Sequence, residues 1–72
     1  MSTYQQFLAD YFDTVESPQF SRSDLRRGQL WFNMLTVCNS PLAEVMRSDA
    51  ALDPFYRDEV LPASWAYAKE NW

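Results

Sequence analysis

The sequence predicts an all-α fold: one compact bundle of three main helices plus one or two short ones. Three observations predict it. Apolar residues recur at helical spacing through the first half of the chain, and no segment keeps a period of two. Hairpin signals built on glycine are absent from a chain that holds one glycine. Prolines at 18, 41, 54 and 62 fall where the helical patterns break.

The first helix spans about residues 3–15. Tyr4, Phe7, Leu8, Tyr11, Phe12 and Val15 recur at i, i+3, i+4, i+7, i+8 and i+11, and so share one face. Gln5, Gln6, Asp10 and Asp13 point away from it. Ser2 and Gln5 have the spacing of a capping box. Pro18 ends the pattern, and residues 16–22 read as a linker.

A second helix is predicted over about residues 23–38, capped by Ser21 or Ser23, with Asp24 in its first turn. Its apolar residues cover most of the wheel, as expected of a central, surrounded helix. Cys38, beside Met34 and Leu35, reads as a core thiol. Gly28 costs about 1 kcal/mol relative to Ala inside a helix. Close approach by another backbone is the usual compensation.

A short helix follows over about 41–48, with Asn39 in a left-handed conformation, Ser40 as cap and Pro41 at the first position. Leu42, Val45 and Met46 supply its apolar face. Residues 49–61 are rich in turn formers, and Pro62 opens a last helix over about 62–71. Leu61, Trp65, Ala68 and Trp72 share a face there, and the terminal Trp72 is expected to dock on the body.

Seventy-two residues make one small domain, and three Trp, four Tyr and five Phe supply its bulk. Not all twelve aromatics fit inside, so some must lie on a surface suited to contact. The net charge of −4 argues against general nucleic-acid binding. A lone cysteine and no histidine point to a reducing compartment, the cytoplasm, and remove the usual zinc ligands. No basic, apolar leader opens the chain, and no apolar run reaches the length of a membrane span.

Catalytic constellations built on histidine are excluded, no phosphate-binding glycine motif occurs, and the acidic pairs lack a complementary base. The chain therefore reads as a non-enzyme with no cofactor, metal or catalytic residue. Arg22, Arg26 and Arg27 form one basic cluster, read first as ion-paired to Asp24 or to acids of other helices. Arg26, Gln29, Asn33 and Thr36 form the only polar stripe of the second helix, and Gln29 and Asn33 are spaced to hydrogen-bond along it.

The segment "DPFYRDEVLP", residues 53–62, packs two prolines, two aromatics and four charges into ten positions. Asp53 and Pro54 make a turn, and one of Phe55 and Tyr56 faces inward, since neighbours on a helical turn diverge by about 100°. The other, with Arg57, Asp58 and Glu59, is the outward recognition surface. Together with Arg26, Gln29 and Asn33 these residues are the candidate partner-binding set.

Residues 21–66 carry a further pattern. "RRGQLWFNML" (26–35), Pro41-Leu42-Ala43 and "DPFYRDEVLPASW" (53–65) resemble a group of small phage and prophage proteins. These combine an R-x-GQ-x-x-x-N-x-L helix with a D-x-FY-x-D segment and a closing aromatic helix. The resemblance implies a phage or prophage origin and no catalytic residue. Small phage proteins commonly bind and redirect one host protein, so the leading expectation is an accessory protein that modulates, or inhibits, a host protein in the host cytoplasm. The alternative is a self-associating assembly protein that buries its aromatics in a homodimer. A nucleic-acid-binding regulator using the arginine cluster ranks third.

Overall fold

The computed structural model describes residues 3–72. Its elements are α1 (Tyr4–Val15), α2 (Pro18–Arg22), α3 (Arg27–Cys38), α4 (Ser40–Arg47), a single 3-10 turn (Asp58–Val60) and α5 (Leu61–Asn71). There is no strand among the described residues, and the fold is all-α as the periodicity requires.

α1 starts at Thr3, whose hydroxyl accepts the Gln6 N–H at 3.1 Å. The Ser2 cap expected from the sequence lies outside the described residues. Phe7 and Tyr11 are buried, Tyr4, Leu8 and Val15 pack at the edge of the core, and Phe12 stays 43% exposed. Pro18 does end α1, but it also opens α2, so the expected linker contains a helical turn. A residue without an N–H loses nothing at the start of a helix. Ser17 caps that turn by accepting the Phe20 N–H at 3.2 Å.

The second long helix begins later than its sequence signals suggest. Ser23 closes α2, its hydroxyl donating to the Phe20 carbonyl at 2.8 Å, and so cannot cap α3. The cap position belongs to Arg26, held extended at φ −82°, ψ 161°, with no side-chain cap of its own. The missing cap comes from across the fold: Gly28 N–H donates to Asp58 Oδ1 at 2.9 Å.

α3 is the axis of the bundle, contributing buried Gly28, Leu30, Trp31, Phe32 and Leu35. Phe7 meets Trp31 edge-on at 5.9 Å. Its last turn departs from the expectation of a surrounded helix. Val37 is 85% exposed, and Cys38 is an exposed free thiol, not a core residue. α3 ends there and the chain reverses at once into α4, so no element covers that side of the final turn.

Asn39 is not left-handed (φ −151°, ψ 74°); it caps α4, accepting the Leu42 N–H at 3.3 Å. Ser40 thereby becomes the first helical residue, and its hydroxyl donates back to the Thr36 carbonyl at 2.6 Å. The buried face of α4 is Leu42, Ala43 and Met46, whereas Val45 is 51% exposed. The buried face therefore runs through Ala43, and Val45 lies outside it.

The 3-10 turn leads into α5, where Pro62 sits in the first turn. Leu61, Ser64 and Ala68 are buried, with Trp65 and Trp72 at the edge. Ser64 is a buried polar group whose single hydroxyl proton has the carbonyls of Leu52 and Val60 within reach as acceptors. Trp72 docks as expected, its ring 5.0 Å from Phe7 and 5.8 Å from Tyr4. No helix among the described residues is long and apolar enough to cross a membrane.

Gly28 has the compensation its position calls for. A Cβ built there would overlap the Pro54 carbonyl oxygen and stand 2.9 Å from Asp58 Oδ1. Gly28→Ala should therefore destabilise the protein by about 1–3 kcal/mol, the range for overpacking. At an open helix site the same change would stabilise by about 1 kcal/mol. Urea denaturation reads the sign directly, and a stabilised variant would refute the contact.

Candidate functional site: the 53–60 corner and the start of α3

The corner is built from local rules. Asp53 Oδ1 accepts the Phe55 N–H at 2.9 Å, closing an Asx turn around Pro54. The Pro54 carbonyl accepts the Arg57 N–H at 3.2 Å while its other side abuts Gly28. The 3-10 turn then places Asp58 over the open amides of α3, where a carboxylate is favoured by both hydrogen bonding and the helix dipole.

Arg26 completes the join. Its guanidinium donates to the Phe55 carbonyl, and its Nε lies 3.9 Å from Asp58 Oδ1. The arginine cluster is thus ion-paired at one member, to an acid of the corner and not to Asp24. At that distance, and with both side chains nearly half exposed, the charge pair itself contributes little. The cap and the carbonyl contact do the joining.

Phe55 and Tyr56 diverge as expected. Phe55 is half-buried and meets Phe32 edge-on at 6.1 Å, whereas Tyr56 is 76% exposed and stands against Phe55 at 4.8 Å. Arg57 and Glu59 pair with each other at 2.8 Å on the solvent side. Beside them Phe32, Arg47, Asp53, Phe55 and Tyr56 line a depression of about 230 Å³. Arg47 lies 5.7 Å over the Phe32 ring.

Of the candidate set, Arg26, Phe55, Tyr56 and Asp58 come together, with Arg57 and Glu59 adjoining in the chain. Gln29 is half-buried and shares no hydrogen bond with Asn33. Asn33 lines a different shallow patch, with Met34, Val37 and Cys38. Phe32, Arg47 and Asp53 escaped the sequence reading of this surface. Phe32 and Arg47 belong to helices remote in sequence, and no spacing rule links them to Phe55.

At the start of α3, the Tyr11 hydroxyl donates to the Arg27 carbonyl at 2.9 Å. Burial pushes the Tyr11 phenol up to about 12; the Arg27 charge acts downward against it and the Asp58 charge adds to the rise. No protein-family model, no curated protein and no solved structure matches this chain.

Two outcomes follow. Asp58→Ala should cost about 0.5–2 kcal/mol, the range for losing a helix cap, and a high-salt denaturation series should leave most of that loss in place. Tyr11 keeps its proton in the folded state above the pH at which the unfolded chain releases it. Stability should therefore be intact below pH 10 and fall as pH rises from 10 towards about 12. Tyr11→Phe should flatten that fall, measured by urea midpoints across the range.

Proposed function

We propose that this chain is a small phage-type accessory protein that binds a host protein and modulates it through direct contact, inhibition being one such mode. The observation that carries the reading is Tyr56: a large aromatic left 76% exposed on a corner held by hydrogen bonds on both sides. Interface hot spots are enriched in Tyr, Trp and Arg, and a rigid anchor loses little conformational entropy on binding. The depression beside Tyr56, with Arg47 at its edge, offers a partner side chain a place to insert. Arg57 and Glu59 supply a polar rim.

A second reading, self-association, is favoured by a different observation. Val37, at 85% exposure, adjoins Met34, Cys38 and Asn33 in an uncharged patch on the last turn of α3. Nothing comparable favours nucleic acid, since Arg26 is engaged with Phe55 and Asp58.

Affinity capture from bacterial lysate should return one dominant partner. Tyr56→Ala combined with Arg57→Ala should reduce capture by more than about tenfold, the loss associated with hot-spot truncation, while helical circular dichroism stays unchanged. Capture indifferent to both changes would overturn the surface assignment. Sedimentation at low micromolar concentration separates the second reading, which a clean monomer removes.

A further inference from the structure

The depression beside Tyr56 is lined by three rings, Phe32, Phe55 and Tyr56, and by two charged side chains, Arg47 and Asp53. Its rings stand nearly square to one another: Phe32 meets Phe55 at 87°, and Phe55 meets Tyr56 at 71°. Edge-on pairing covers at most one face of one ring in each pair, and Tyr56 stays 76% exposed, so ring surface remains for a further group. Part of the wall is in use already. The Arg47 guanidinium lies 5.7 Å from the Phe32 centroid, inside the roughly 6 Å reach of a cation–π contact. The aromatic wall thus holds a guanidinium in the protein alone.

The two charges at the depression are not equivalent. Arg47 has a counter-ion, Glu44, at 3.5 Å. Asp53 makes no ion pair among the described residues. Its Oδ1 accepts the Phe55 N–H at 2.9 Å, which fixes the carboxylate beside the Phe55 backbone. The other two arginines of the corner are matched as well, Arg26 with Asp58 and Arg57 with Glu59. The aromatic depression therefore carries one unmatched charge, and it is negative.

We infer that the partner presents an arginine side chain to this depression, its guanidinium seated on the open ring surface beside Asp53. This assignment rests on the reading of the Tyr56 corner as a binding surface and adds the chemistry that the surface selects. Ring quadrupoles and the Asp53 carboxylate attract a cation together, and a planar guanidinium can stack on a ring while pairing with a carboxylate. An acidic side chain would meet Asp53 as a like charge and find Arg47 already matched. A neutral side chain would desolvate the Asp53 carboxylate without pairing it, at a cost.

The probes are acetyl-Leu-Arg-Leu-amide and its citrulline and glutamate counterparts, titrated into the full chain and followed by NMR at the Phe55 and Tyr56 ring resonances. Citrulline keeps the shape of arginine without its charge. The arginine peptide should shift both rings saturably, and the other two should bind about tenfold more weakly, within the range for a cation held on rings. Asp53→Asn keeps an Oδ1 acceptor for the Phe55 N–H and removes the charge. It should weaken the arginine peptide several-fold and leave the citrulline peptide unchanged. Arg47→Gln frees the Phe32 face and removes a like charge, and should tighten the arginine peptide; weakening would mark Arg47 as an anion-binding group and overturn the inference. Equal binding of the arginine and citrulline peptides, preference for the glutamate peptide, indifference to Asp53→Asn or no saturable shift would overturn it too. The surface itself is judged separately, by lysate capture with the Tyr56→Ala and Arg57→Ala changes. Capture lost there, alongside any of those peptide results, leaves the corner a binding surface of different chemistry, and capture retained removes both readings.

Discussion

The close approach of the Pro54 carbonyl to Gly28 is the contact on which the rest of the structure depends. It is possible because residue 28 has no side chain, and it brings Asp58 within 2.9 Å of the Gly28 amide. Two segments about thirty residues apart are thereby locked together. The lock sets where α3 begins, since Arg26 must stay extended for its side chain to reach Phe55. It also sets the path into α5, because the 3-10 turn that presents Asp58 runs directly into Leu61. Arg26 and Gly28 of one segment and Pro54, Phe55 and Asp58 of the other meet at this point.

A domain this small gains stability by burying a few large groups, and the chain does so unevenly. Phe7, Tyr11, Trp31 and Leu35 are almost wholly enclosed. Trp72 covers Phe7 from the end of the chain, so the first and last helices are joined by ring contacts. The remaining aromatic surface is concentrated, not scattered. Tyr56 and Phe55 hold one flank, while Phe12 and Trp65 hold another. The start of α3 carries both the clasp and the Tyr11–Arg27 contact, at the adjacent residues Gly28 and Arg27. The C-terminal half of α3 presents Val37 and Cys38 without aromatic neighbours, and its exposed surface is of a different kind.

The arginine cluster shows how tertiary context divides a run of like residues. Arg26 is drawn into the clasp, and Arg27 lies beside Tyr11, whose hydroxyl meets its carbonyl. Arg22 closes α2. Three neighbouring positive charges thus face three environments, because the extended stretch before α3 breaks the helical spacing that would have aligned them.

The sequence by itself determined the helical class, the order of the long helices, the apolar face of α1 and the need for a backbone neighbour at Gly28. These are properties of spacing and of single residues, which act locally. It also determined that Phe55 and Tyr56 must diverge and that Asp53 closes a turn. Tertiary structure decided the start of α3, because the cap competing with Ser23 comes from Asp58, thirty residues away. It decided that Cys38 and Val37 lie outside, since exposure there depends on which side α4 leaves uncovered and not on the residues themselves. It decided, too, that Ala43 replaces Val45 on the buried face of α4, and that Asn33 parts from Tyr56. Local periodicity fixes which faces are apolar; only the packing of helix against helix fixes which of those faces are covered.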